Sequence, residues 1–447
     1  MKTGAHFKEV GEEPSPGYDF RYVKNILVSG LHDRDHGILS VRGEQALGLY
    51  VAGLTFDQLG LKSEILQGIY NYPYQSPSLI QSAVISAVLE DQWKDMIVQS
   101  QNGTGKTAAF AVTILEKVDL SQKWPQCVCV VPTYELALQV GNVIQKLGAF
   151  MPELRICLAV RETDEQGANS NDRISDHVIV GTPGTIIRWS FTQTKVDFSR
   201  VKLFIVDEAD EMVISGGLRK QTNQIVSRLP RNCQKLFFSA TLDESSETFI
   251  HGLCNRPIIF RLREEELSLD NVFQFYVQCV NDEDKFAAIV DVYNSMIVGQ
   301  CMIFCRTRRS ARDLWHKMRE AGHAVSLLTA ELTVRERADC LHNFRYGEDR
   351  VLIVTNVCAR GIDVPYLNLV VNYDLPILRD GTADFYSYLH RIGRSGRFGM
   401  SGVALTFVQN AAEVEIVKSI AEHFGKPINC LTRDQLKAID EIVEPDI

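Results

Sequence analysis

An eight-residue run, Ser100-Gln101-Asn102-Gly103-Thr104-Gly105-Lys106-Thr107, stands between the apolar run Met96-Ile97-Val98 and a helical pattern that starts at Ala108. Strand, glycine loop and helix in that order are what a phosphate-cradling loop requires. Gly103 and Gly105 let backbone amides turn towards phosphates, Lys106 places a charge on the β and γ oxygens, and the Thr107 hydroxyl can ligate magnesium. A hundred residues on, the apolar run Val201-Lys202-Leu203-Phe204-Ile205-Val206 ends in Asp207-Glu208-Ala209-Asp210. Asp207 can hold a metal through water, and Glu208 can orient an attacking water. A loop of this kind paired with a strand that ends in acids holds a nucleoside triphosphate and its Mg2+.

The surrounding pattern sets the fold class. Strand-like runs at 96–98, 127–132, 155–160, 177–181, 203–206 and 235–239 alternate with helical stretches such as 108–117 and 135–147. Such alternation predicts α/β architecture, a parallel sheet with helices on both faces. Ligands bind such sheets at the carboxyl ends of strands, where the glycine loop and the acids fall. The pattern breaks in the charged stretch Arg263-Glu264-Glu265-Glu266. A second alternation follows at 273–280, 301–305, 324–328, 351–355, 367–372 and 403–408, without a glycine-rich phosphate loop. The expected organisation is an irregular N-terminal extension (1–50), a nucleotide-binding domain (51–262), a short linker (263–270) and a second α/β domain (271–447). One nucleotide would then sit between the two domains.

The second domain supplies His390-Arg391-Ile392-Gly393-Arg394-Ser395-Gly396-Arg397. Arg394 and Arg397, three apart, are expected to share a helical face. As fingers on the γ-phosphate they would stabilise charge that develops in the transition state.

Bulk properties narrow the partners. The 447 residues carry a net charge of −9, so nucleic acid cannot be held by a generally basic surface. Any such contact needs a local groove, backbone amides and helix N-termini. No apolar run reaches 18 residues, and no membrane span is expected. The first 16 residues lack the apolar stretch of a secretory signal. The eleven cysteines are scattered through apolar stretches, as buried, reduced thiols of a cytosolic or nuclear protein are. Cys127 and Cys129 share a strand face without further ligands at finger spacing. His32-Asp33-Arg34-Asp35-His36 reads as a solvated loop.

Taken in order, these motifs resemble those of the DEAD-box ATP-dependent RNA helicases, from about Phe56 to the C-terminus. Further motifs extend the likeness: Pro77-Ser78-Leu79-Ile80-Gln81, Pro132-Thr133-Tyr134-Glu135-Leu136-Ala137, Thr182-Pro183-Gly184, Ser239-Ala240-Thr241, Phe304-Cys305-Arg306-Thr307, and Thr355 with Arg360-Gly361-Ile362-Asp363. The resemblance implies two tandem RecA-like domains and an ATP site in which Gln81 reads the adenine edge and Phe56 stacks on the ring. Ser100, Gln101, Asn102, Gly103, Thr104, Gly105, Lys106 and Thr107 would line the phosphates, and Asp363 would approach the ribose. Single-stranded RNA, bound without regard to sequence, would lie along Thr133, Thr182 and Gly184 in the first domain and along Arg306, Arg337 and Thr355 in the second. Ser239 and Thr241 would couple the nucleotide site to the interdomain contacts.

Tyr134, Thr185, Asn356 and Cys358, with Arg231-Asn232-Cys233-Gln234, make the chain similar to the nuclear-pore mRNA export branch. That branch implies a monomer in cytoplasm and nucleus, acting at the cytoplasmic face of the pore. Its partners would be a pore-filament nucleoporin and an export activator with inositol hexakisphosphate. Several positions depart from the family pattern: Pro73, Asn102 in the phosphate loop, Glu162 and Tyr386. Asn102 and the other departures keep open a nucleotide-gated RNA clamp with negligible turnover; a pore scaffold for which catalysis is incidental is a further alternative. An unrelated phosphate-loop ATPase acting on DNA is disfavoured by Gln81 and Thr182-Pro183-Gly184.

Overall fold

The computed structural model describes residues 39–42, 54–72, 74, 76–90, 94–100, 104–160, 173–262, 272–295, 299–355, 367–378, 380–395 and 402–439. The linker 263–270 and most of the stretch 1–50 lie outside them.

Among the described residues the first sheet holds eight strands: β1 (Leu39–Arg42), β2 (Met96–Gln99), β3 (Cys127–Val130), β4 (Ile156–Ala159), β5 (Val178–Gly181), β6 (Leu203–Val206), β7 (Gln234–Ser239) and β8 (Ile258–Leu262). Their order is β1-β8-β2-β7-β6-β3-β5-β4. The second sheet holds β9 (Val272–Gln278), β10 (Gln300–Cys305), β11 (Val325–Leu328), β12 (Val351–Thr355), β13 (Leu367–Asn372), β14 (Gly402–Val408) and β15 (Asn429–Leu431), in the order β11-β12-β10-β13-β14-β9-β15. Every described strand pair is parallel except β1 with β8.

The central strands are apolar at nearly every position because helices cover both sheet faces. The pleat sends alternate residues to opposite cores. In β2, Met96 and Val98 join one cluster and Ile97 the other. In β10, Cys301, Ile303 and Cys305 face one core while Met302 and Phe304 face the other. These are two α/β domains, as the alternation of runs predicts, and RecA-like, as the resemblance implies.

Three strands escape the sequence reading. β15 has three residues, the first two of them exposed, too few to show a period. β8 is a short run interrupted by Arg261, next to the charged linker. β1 lies inside the stretch read as an irregular extension and pairs antiparallel with β8, Leu39 opposite Leu262, at the sheet edge. An edge strand needs only one neighbour, so it requires little pattern of its own.

Helices start where their caps dictate. The helix Lys106–Lys117 begins directly after Gly105, whose φ of +88° ends the loop in a left-handed turn. Thr133 caps Tyr134–Leu147 by accepting from the Leu136 amide at 3.3 Å, and Thr307 caps Arg308–Glu320 by accepting from Ser310 N at 3.0 Å. Among the described residues no helix is long and apolar enough to cross a membrane.

The two domains touch. Arg337 meets Glu135 at 3.2 Å, Arg345 donates to Gln139 Oε1 at 3.3 Å, and His390 Nε2 lies 3.3 Å from Asp210 Oδ2.

Candidate functional site

The sheet order puts the phosphate loop and the acids on either side of one strand. β2 ends in the loop, β6 ends in Asp207, and β7 runs between them with Gln99 opposite Ser239 and Val206 opposite Phe237. Ser239 therefore sits between loop and acids, and its carbonyl accepts from Ser100 N at 3.0 Å.

The described part of the loop is tightly held. Lys106 is buried, and its ammonium donates to the Ser100 carbonyl. The Ser100 and Thr104 hydroxyls hydrogen-bond to each other, and Ser78 Oγ donates to the Thr104 carbonyl at 2.7 Å. Gln81 is buried and braces the helix start: its Nε2 donates to Gly105 O at 3.2 Å, and its Oε1 accepts from Ser78 N at 2.8 Å. A Cβ on Gly105 would fall 2.1 Å from that same Nε2. Gly105 thus answers two demands at once, a positive φ and a close approach. Thr107 is half-buried on the first turn of the helix. Gln101, Asn102, Gly103, Asp363 and Arg397 lie outside the described residues.

Across β7, Asp207, Glu208 and Asp210 are all buried. Burial, the charge of Glu208 and that of Asp210 raise the Asp207 carboxyl, while Lys106 and the Glu208 amide oppose them; it ends at about 7. Glu208 adopts a left-handed backbone with φ +52°, a conformation that costs a non-glycine residue about 1–3 kcal/mol and clusters at functional sites. Asp210 is the hub of a polar chain. Its amide donates to Ser239 Oγ at 3.2 Å, and its Oδ2 accepts from Thr241 Oγ1 at 2.7 Å. Ser239 Oγ donates to the Thr241 carbonyl at 2.5 Å. The same Oδ2 faces His390 of the second domain. Neither Asp210 nor His390 was given a role from the sequence. The signal was there, an acid and an imidazole at strand and helix ends inside the two motifs, but their pairing depends on how the domains dock.

On the second domain, Asp384 caps the helix Phe385–Ile392, accepting from Ser387 N at 2.9 Å. The helix stops before Arg394, because Gly393 closes it and the chain continues in tight turns, Arg394 N to Arg391 O at 3.2 Å and Ser395 N to Ile392 O at 3.1 Å. The expectation that Arg394 and Arg397 share a helical face is therefore corrected at Arg394. Arg394 is nonetheless buried, its Nε donating to His390 O at 3.1 Å. Behind it, Arg391 is fixed by 2.8 Å bonds to Asn372 Oδ1 and Asp374 O and lies over the Phe304 ring. Burial lowers Arg391 to about 10.

Of the residues expected along RNA, Thr133, Thr182, Arg306 and Thr355 fall at neighbouring strand ends, Gly184 lies in the helix Pro183–Ile187 and Arg337 in the helix Val334–Arg345. Val130 pairs with Gly181, so Thr133 and Thr182 follow adjacent strands. Cys305 pairs with Thr355, so Arg306 follows its strand beside Thr355. Gly184 and Arg306 are exposed, and Asp374 Oδ2 accepts from Arg306 N at 2.8 Å. Arg337 is turned onto Glu135 across the domain boundary. Phe56 is 2% exposed and packed into the core of the first domain.

Comparison with known proteins identifies the family. The family described as DEAD/DEAH box helicase matches residues 78–249, and the Helicase conserved C-terminal domain matches residues 284–399. The chain is 40% identical to the ATP-dependent RNA helicase DDX19B of Homo sapiens over 444 residues, which is 99% of this chain and 92% of that protein. The structure of S. cerevisiae Dbp5 bound to RNA and ADP BeF3 superposes with a TM-score of 0.81 at 38% identity, covering 88% of this chain and 99% of that one. A Dbp5 variant bound to Nup159, Gle1, IP6 and ADP gives a TM-score of 0.64 at 36% identity, covering 87% and 100%.

Proposed function

The chain belongs to the DEAD/DEAH box helicases, and from that premise we propose that it is an ATP-dependent RNA helicase of the mRNA export branch. The observation that carries the reading is the chain of contacts from the phosphate loop through Ser239, Thr241 and Asp210 to His390. It links a nucleotide site in one domain to the finger motif of the other, which is what coupling ATP to domain closure requires.

In this reading ATP sits between the domains. Gln81 reads the adenine edge, Ser100 to Thr107 hold the phosphates with Lys106 on the β and γ oxygens, and Asp363 approaches the ribose. Arg394 and Arg397 reach the γ-phosphate from the second domain, worth several orders of magnitude in rate for such arginines. Glu208 orients the attacking water, and its strained backbone fixes that aim. The residues fit a magnesium ion: three buried carboxylates gather near one buried lysine, a deficit of positive charge that a divalent cation corrects. Thr107 and Asp207 would hold it, and when bound it would neutralise phosphate charge. Closure aligns Thr133, Thr182 and Gly184 with Arg306, Arg337 and Thr355 into one groove. Contacts to backbone and 2′-hydroxyls make RNA binding independent of sequence. A strand bent in that groove loses its partner, so short duplexes or bound proteins are displaced, and phosphate loss reopens the cleft.

By likeness to DDX19B and to Dbp5 bound to Nup159, Gle1 and IP6, the chain acts at the cytoplasmic face of the nuclear pore. Its partners there are a pore-filament nucleoporin and an export activator with inositol hexakisphosphate.

The test is strand displacement from a short RNA duplex. ATP-dependent displacement that fails for the equivalent DNA duplex supports the reading. Retention of RNA with ATP but without displacement or turnover would replace it with a nucleotide-gated clamp.

A further inference from the structure

Glu208, Asp210 and His390 bring one ligand atom each to within 4.8 Å of one another, and all three residues are buried. Two come from the first domain and one from the second. Glu208 is 6% exposed, and among the described residues its carboxylate has no hydrogen-bond or ion-pair partner. Its side chain stands beside an imidazole and a second carboxylate. The His390 Nε2 to Asp210 Oδ2 separation, 3.3 Å, is also the edge of a tetrahedron with bonds of about 2.0 Å, near 3.3 Å. Thr241 donates to that same Asp210 oxygen at 2.7 Å, an outer contact of the kind that orients a metal ligand.

We propose that Glu208, Asp210 and His390 form a second cation site, for a transition ion such as Zn2+, which clamps the two domains in their closed arrangement. The imidazole sets the selectivity. Mg2+ demands octahedral oxygen ligands and keeps its waters, whereas imidazole with carboxylates suits Zn2+ and Co2+. The site is separate from the one offered by Thr107 and Asp207. The consequence rests on the proposed function: an ion here takes Glu208 away from the attacking water and holds the cleft shut, so turnover stops while bound RNA is retained.

The probe is Co2+, titrated into the full chain without ATP or RNA, so that the readout does not depend on the helicase reading being right. The expected result is one equivalent with visible d–d absorption, displaced by Zn2+ and unaffected by excess Mg2+. His390→Ala and Glu208→Gln weaken it by about 100-fold or more, and Asp207→Asn leaves it in place. His390→Cys keeps binding and adds a thiolate-to-cobalt band, which separates a lost ligand from a lost fold. Unchanged affinity in both His390→Ala and Glu208→Gln, displacement by Mg2+, loss in Asp207→Asn, or a thiolate band in the parent protein would overturn the proposal.

Discussion

Asp210 and His390, 180 residues apart in the chain, stand 3.3 Å from each other across the domain boundary. Asp210 is also bonded to Ser239 and Thr241 beside the phosphate loop, so this one contact joins nucleotide state to domain docking. His390→Ala is expected to lower RNA-stimulated ATP hydrolysis by about 100-fold, within the range of coupling energies for directly interacting groups, while nucleotide affinity changes little. Asp210→Asn should do the same, and the double variant should be no worse than either. Steady-state kinetics on the three variants would show additive losses if the two residues acted independently.

Replacing Gly105 carries two costs. Its φ of +88° strains any other residue by about 1–2 kcal/mol, and the added methyl would strike Gln81 Nε2. Gly105→Ala should lose nucleotide binding measured with a fluorescent ATP analogue and also melt a few degrees lower. Parental affinity in this variant would show that the loop relaxes at no cost.

The Glu135–Arg337 pair crosses the cleft with Glu135 buried. Removing one partner of such a pair leaves an uncompensated charge and costs about 3–5 kcal/mol when fully buried; Arg337 is partly exposed, so a smaller loss is expected. Arg337→Ala should weaken RNA binding in the presence of a non-hydrolysable ATP analogue by tenfold or more. Exchanging the charges, Glu135→Arg with Arg337→Glu, should recover part of it. Equal losses for the single variants and the exchange would mean that Arg337 works only through RNA.

His177 gives a pH dependence remote from the site. It is buried, its Nδ1 accepts from the Arg155 amide at 3.0 Å, and burial holds its pKa below the usual 6.5. The neutral ring is favoured by the fold, so its contribution is complete above about pH 6.5 and is lost as pH falls through the folded value. The urea midpoint should drop between pH 7 and pH 5, and His177→Asn, which keeps an acceptor without a charge, should drop less. An identical slope in both proteins would exclude His177 as the cause.

The thiols make a chemical prediction. Burial pushes Cys157, Cys233 and Cys301 up to about 12, and Cys430 is exposed. Among the described cysteines, a thiol reagent on the native protein should label Cys430 first, read by mass spectrometry. Faster labelling of Cys233 or Cys301 would mean that the core opens readily.

The strands that build each sheet were legible because parallel sheets bury both faces and leave continuous apolar runs, as in Leu203–Val206 and Val351–Thr355. The phosphate loop and the acids were legible because their chemistry is local. What depends on docking was not: the Asp210–His390 contact and the turn of Arg337 onto Glu135. The fixing of Arg391 by Asn372 and Asp374 joins a helix to the end of β13, and no spacing announces it. The helical placement of Arg394 failed because Gly393 ends the helix one residue earlier.

The most direct test of the account is ATP hydrolysis measured with and without single-stranded RNA, with Lys106→Ala as the blank. The account predicts turnover that RNA accelerates at least tenfold and that disappears in the variant. Hydrolysis indifferent to RNA, or equal in Lys106→Ala, would contradict it.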